Sequence, residues 1–239
     1  MKKCITLLII PMLCPFIAHA NIRPLMTASV GVDQTSIYRN TTILMLTPFT
    51  NTYTGIHKSN TQAVGGLFLG AESKLSSLWG WQYGIRYFQT HAFNVRGNVY
   101  QFSDPLYNNL TYQYRIENRR VLAESKLLIT VKTKYHPYVV GALGESFNRA
   151  YGYHELPISS ADAPMTQPFA NTKTSVFSYS LGLGVDMELT QHVRLGLNYR
   201  WSQLGKASLG KTPLQDGTTT ITHAHLPTNE FLLEVGYLV

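Results

Sequence analysis

Three groups of residues have types and spacings that could do chemistry. His57-Lys-Ser59-Asn60 sets an imidazole two positions from a hydroxyl. A serine nucleophile needs a base within hydrogen-bond reach and an acid that orients the base. The nearest downstream acid is Glu72, and fifteen extended residues span about 50 Å. One strand cannot bring Glu72 back to His57, so the segment reads as a polar loop. His223-Ala-His225 puts two imidazoles on one face of an extended segment. A structural zinc site takes four ligands and a catalytic one three. No third ligand is evident, so surface loop histidines are expected. Arg115, Arg119 and Arg120 could grip phosphates of lipopolysaccharide above a membrane, or form a solvated strand end. No glycine-rich phosphate loop and no nucleophile elbow occurs. No catalytic, cofactor-binding or metal-binding residue is therefore assigned, and the protein is expected not to be an enzyme.

The ends narrow the setting. Met1-Lys2-Lys3, the apolar run Cys4 to Ile17 and Ala18-His19-Ala20 have the order of a cleaved export signal. Residues 1–20 are read as the signal and residues 21–239 as one domain. Cys4 and Cys14, the two cysteines of the chain, lie inside the signal. The mature chain would then carry no disulfide, thiol nucleophile or cysteine metal site. The net charge of +7 falls to about +5 without Lys2 and Lys3. Its lysines and arginines are scattered rather than gathered in a stripe, which argues against nucleic acid.

The elements that must position any site are strands. In Asn229 to Val239, Phe231, Leu233, Val235, Tyr237 and Val239 share one parity, while Glu230, Glu234 and Gly236 take the other with Leu232 and Leu238. Successive side chains of a strand point to opposite faces, so one face is apolar and one carries charge. Thr174 to Gly205 repeats this as a hairpin that turns at Thr190-Gln191-His192. Its apolar face runs through Phe177, Tyr179, Leu181, Leu183, Val185, Leu195, Leu197, Tyr199 and Trp201. A second hairpin, Gln62 to about Val95, turns near Ser76-Ser77. A third runs from Val121 through Thr133-Lys134 to Asn148. Leu25 to Asp33 is the first strand and the C-terminal segment the eighth.

Three connections are tight. Four are long and polar, near 34–60, 102–109, 151–172 and 209–228. Short turns that alternate with long loops, both termini on the short side, fit an eight-stranded antiparallel up-and-down transmembrane β-barrel. Ile43-Leu-Met-Leu46 is apolar enough to extend a strand, lie on the rim or make a ten-stranded barrel. Two bands of rings are expected at the lipid–water interfaces. Phe177, Tyr179, Tyr199 and Trp201 form one, and Trp79, Trp81, Tyr135, Tyr138 and Tyr237 the other.

With the apolar parity facing lipid, the lumen holds Asp33, Glu72, Arg86, Glu124, Lys126, Asp186, Glu188, Arg194, Arg200, Glu230 and Glu234, with Phe68 among them. Acids and bases are both present and can pair. Eight strands enclose only enough width for side chains to fill. A salt-bridged plug is expected, with a narrow ion path as the alternative.

The export signal, the eight alternating segments, Arg194-Leu-Gly-Leu-Asn-Tyr-Arg-Trp201, Pro137-Tyr-Val-Val-Gly-Ala-Leu-Gly144 and the ending Leu233-Glu-Val-Gly-Tyr-Leu-Val239 together resemble the small outer-membrane β-barrel proteins of Gram-negative bacteria. These are the opacity-like and OmpA-transmembrane-domain-like proteins. Members of that group usually end in an aromatic residue; here Val239 is last, with Tyr237 two positions earlier. His57-Lys-Ser59-Asn60 also resembles the His-x-Ser-Asn piece of outer-membrane lipid A deacylases, whose longer motif is absent. The first resemblance implies the outer membrane as location, with lipid, lipopolysaccharide and the barrel-assembly machinery, through the last strand, as partners. It also implies a structural, envelope-integrity or adhesion role, in which the long loops meet a host or another cell surface. A lipid-modifying enzyme and a small pore are the alternatives.

Overall fold

The alternation seen in the sequence becomes a nearly all-β chain in the computed structural model, which describes residues 22–37, 40–45, 48–55, 58–158, 168–213, 215, 217–223 and 225–239. The proposed signal, residues 1–20, and His57 lie outside the described residues. The strands are β1 (Ile22–Ile37), β2 (Asn40–Leu44), β3 (Thr50–Gly55), β4 (Lys58–Lys74), β5 (Trp79–Thr90), β6 (Phe93–Tyr100), β7 (Asn108–Ile129) and β8 (Tyr135–Pro157). They continue as β9 (Thr172–Glu188), β10 (Val193–Gln203), β11 (Ala207–Ser208), β12 (Thr222–His223) and β13 (Pro227–Leu238).

Eight of these close a ring in the order β1-β4-β5-β7-β8-β9-β10-β13, all antiparallel, and β13 pairs back onto β1. Closure removes the free edges that would otherwise template aggregation. The ring has eight members, not ten. β2, β3 and β6 form a side sheet hung on the upper half of β7. Ile43 belongs to that sheet and is buried under it.

Turns of a few residues join β4 to β5, β7 to β8 and β9 to β10. Ile22 pairs with Ser73 and Leu238 with Leu25, so both ends of the described barrel lie on this short-turn side. On the far side the strands are longer than expected. A transmembrane strand needs roughly ten residues, whereas β7 has 22 and β8 has 23. The surplus rises above the wall as a head. Among the described residues no helix is long and apolar enough to cross a membrane.

Candidate functional site

The wall sets which side is which. Val30, Leu67, Leu69, Ile85, Val139, Leu143, Leu181, Leu183, Leu197 and Val235 point outward and are exposed. Their neighbours of the other parity point inward and are buried and charged. Arg86, Arg120 and Arg200 are each 0% exposed, while Leu69 is 62% exposed. In water this inversion would cost the apolar transfer energy and the ion desolvation together. In a bilayer it is the required arrangement. The chain is an eight-stranded transmembrane β-barrel.

Neither a family model nor a curated protein matches the chain. Solved outer-membrane proteins do. OprG from Pseudomonas aeruginosa has 14% identity over 90% of this chain and 95% of its own, with a TM-score of 0.45. Neisserial surface protein A has 12% identity over 90% and 96%, with a TM-score of 0.43. The outer membrane protease OmpT from Escherichia coli has 8% identity over 91% and 97%, with a TM-score of 0.41.

The barrel's lumen is built in layers. At the short-turn mouth Arg194 pairs with Glu72, and Gln82 donates to Glu72 at 2.7 Å. His136 lies 3.2 Å from Glu188 there. Glu72, His136, Glu188 and Arg194 line a mouth of about 290 Å³. The next void inward, beside Lys126, Asp186 and Glu234, is only about 10 Å³. Lys126 reaches Glu234 at 3.1 Å and Asp186 at 3.4 Å. Above it Glu124 joins two guanidinium groups, Arg86 at 2.7 Å and Arg200 at 2.8 Å. Arg86 also reaches Glu234 at 3.1 Å. The top charged layer pairs Arg120 with Glu230 at 2.6 Å, and Asp33 stands opposite Glu230 on the neighbouring strand. The Phe88 ring lies among Arg86, Arg120 and Arg200, with Arg120 4.4 Å from its centroid. Such pairing offsets the desolvation that isolated buried ions would suffer.

Of the inward residues expected from sequence, Asp33, Glu72, Arg86, Glu124, Lys126, Asp186, Arg194, Arg200, Glu230 and Glu234 are buried inside the ring. Glu188 is not sealed; its side chain is 31% exposed at the mouth. Arg120 corrects the expectation of a solvated strand end. It shares the parity of Glu124 and Lys126 on one strand, and that was the missed signal. Arg115 and Arg119 have the opposite parity and stay outside.

The expected interfacial rings divide. Trp79, Tyr135, Phe177, Tyr179, Tyr199 and Tyr237 are exposed on the wall, and Trp81 and Trp201 are half-buried on it. Tyr138 is a correction. It is buried in the lumen with Lys126 Nζ 3.8 Å from its ring centroid. Tyr135, Pro137 and Val139 take the outward parity, so Tyr138 must turn in. It stands opposite Gly184, where a Cβ would sit 2.5 Å from the tyrosine ring.

The head is the larger surprise, since polar loops were expected there. Asn118 and Asn148 form a polar seam at 2.7 Å above the charged layers. Asn148 donates to the Leu204 and Lys206 carbonyls at 2.9 and 2.8 Å, tying the chain after β10 across the barrel. Over this seam lies an apolar core of Ile43, Tyr53, Val99, Leu110, Tyr112, Tyr114, Ile116 and Tyr153, covered by Leu204, Leu209, Ile221 and Leu226. Burial pushes the Tyr112, Tyr114 and Tyr153 hydroxyls well above the ordinary phenol range. His223, expected on a surface loop, is buried here, with Nε2 2.6 Å from the Tyr114 hydroxyl. His225 is exposed, so the pair does not act as one face. Among the described residues no group of three His, Cys, Asp or Glu is arranged to hold a metal.

At the outermost rim the polarity inverts again. Phe49, Phe102, Leu106, Tyr107, Leu156 and Ile158 are all exposed, Leu106 by 87%. Phe49 and Phe102 meet edge-on at 5.5 Å, and Phe102 and Tyr107 at 5.6 Å. Phe102 and Ser103 both hold a φ of 56°, a conformation that costs a non-glycine residue about 1–2 kcal/mol. Asn51 Oδ1 accepts from the Phe102 amide at 3.2 Å, and Thr50 and Thr52 meet the Ser103 hydroxyl at 2.9 and 3.0 Å. A strained turn is thus held in place while it presents a ring to solvent.

Proposed function

We propose that this protein is a non-catalytic surface-contact protein of the Gram-negative outer membrane. It is exported by the signal in residues 1–20 and inserted by the barrel-assembly machinery through its last strand. The plugged barrel is the anchor and the head is the working part. One observation carries the reading: the aromatic rim of Phe49, Phe102 and Tyr107, with Leu106 beside it, is exposed on the head. Exposed apolar clusters ringed by polar residues mark interaction surfaces. Loops on a rigid scaffold are where binding is carried. The partner is another cell's surface.

Bacteria that display the full chain are compared with cells carrying an empty vector for attachment to cultured epithelial cells. Display is expected to raise attachment, and the double variant Phe102→Ser/Leu106→Ser is expected to return it to the control level with unchanged display. Equal attachment of displaying and empty cells would overturn the reading.

A further inference from the structure

The outer wall of β7, β8 and β9 carries a charge arrangement that the fold itself does not need. Arg149 on β8 is directly opposite Lys173 on β9. Like charges directly opposite in an antiparallel pair are destabilising. Glu117 is opposite Arg149 on the other side, but it pairs with Arg119 at 2.8 Å. Among the described residues neither Arg149 nor Lys173 makes an ion pair. The Arg149 guanidinium lies over the Tyr151 ring at 4.6 Å, which holds it in place without neutralising it.

Directly below lies apolar wall. Phe147 is opposite Arg119, and Val121 and Tyr87 are opposite each other one step down. All three are exposed. Three basic residues, Arg119, Arg149 and Lys173, line one groove of about 480 Å³ on the outside of the barrel with these apolar residues and with Glu117, the acid held by Arg119. It lies where the lipid-facing band gives way to the head, the height of outer-leaflet headgroups.

The geometry points to a binding site for a phosphate-bearing glycolipid of the outer leaflet. Its phosphate bridges Arg149 and Lys173, with Arg119 at the side, and an acyl chain runs down past Phe147 and Val121. Guanidinium and ammonium groups are suited to phosphate, and the anion removes the repulsion between the two cations. This inference rests on the outer-membrane reading, and its test separates the two.

The full chain, folded in neutral detergent, is first run unboiled and boiled on a gel. A migration shift establishes the closed barrel, and no shift overturns the membrane reading together with this site. Native mass spectrometry then measures retention of a phosphorylated acyl-glucosamine lipid, the same lipid with its phosphates removed, and inorganic phosphate. The phosphorylated lipid is expected to be retained about tenfold better than the dephosphorylated one, and Arg149→Gln/Lys173→Gln to abolish that preference. Lys132→Gln/Lys134→Gln, which removes the same charge from the opposite mouth, is expected to keep it. A shifted gel with equal retention of both lipids, or with the preference intact in Arg149→Gln/Lys173→Gln, overturns the site alone. Displacement of the lipid by an equal concentration of inorganic phosphate overturns the lipid assignment.

Discussion

Arg200 donates to Glu124 across the lumen at 2.8 Å, and the two residues are 76 positions apart in the chain. Glu124 at the same time holds Arg86 at 2.7 Å. Glu124 therefore bridges two guanidinium groups that have no access to water, and Glu234, 3.1 Å from Arg86, supplies the second negative charge.

Glu124→Ala would leave Arg200 buried without its carboxylate and Arg86 with Glu234 alone. A loss of about 3–5 kcal/mol is expected, read as a lowered urea midpoint of the detergent-folded barrel. Replacing Glu124 and Arg200 together by Met removes an anion with its cation and leaves Arg86 paired with Glu234. That double variant is expected to be more stable than Glu124→Ala, and the reverse order would refute the pairing account.

Sealing by this layer has an electrical consequence. The lumen narrows from a mouth of about 290 Å³ to a void of about 10 Å³, and the apolar head core closes the far side. Planar-bilayer recordings of the folded chain are expected to stay at background conductance. A long-lived open state would mean that the charged layers part in the membrane.

Gly184 makes room for Tyr138 to lie beneath Lys126. Gly184→Ala would set a Cβ 2.3 Å from the Leu197 carbonyl oxygen and 2.5 Å from the ring, so both must shift, at a cost of about 1–3 kcal/mol. Gly141→Ala is the control, because the nearest atom to a Cβ there is a Leu181 methyl at 3.7 Å. Its midpoint should remain close to that of the unaltered chain.

The head and the barrel have separate cores, so they should fail separately. Leu110 is fully buried in the head and reaches no membrane layer. Leu110→Ala is expected to loosen the head by about 2–5 kcal/mol. Limited proteolysis should then cut the head earlier while the gel shift of the barrel persists. Simultaneous loss of both would show one cooperative unit.

Phe102 combines strain with exposure. Phe102→Gly removes the ring and the unfavourable φ together, so stability is expected to change by less than about 1 kcal/mol. Attachment of displaying cells should nevertheless fall. A variant that binds as well as the unaltered chain would remove the rim from the contact surface.

Much of this is legible in the sequence. The period of two assigned Leu183 outward and Arg200 inward, because a strand offers a side chain only two directions. Counting parity strictly would also have turned Arg120 and Tyr138 inward, since they alternate with Val121 and Val139. The head was not legible in the same way. Leu110, Tyr112, Tyr114 and Ile116 continue the inward parity of β7. Whether that face meets water or a core depends on Leu204, Leu209 and Ile221, which arrive from nearly a hundred residues away.

By itself, then, the sequence determined the eight wall strands, their two faces and the presence of mixed charge on the inner one. These follow from local stereochemistry, which repeats every two residues. Only the tertiary structure decided that Glu124 serves Arg86 and Arg200, that Arg149 confronts Lys173, and that eight strands close while β2, β3 and β6 stand aside. Those relationships depend on register between strands. Register is set by closing the whole ring at once, which brings most of the buried charges against partners from other strands.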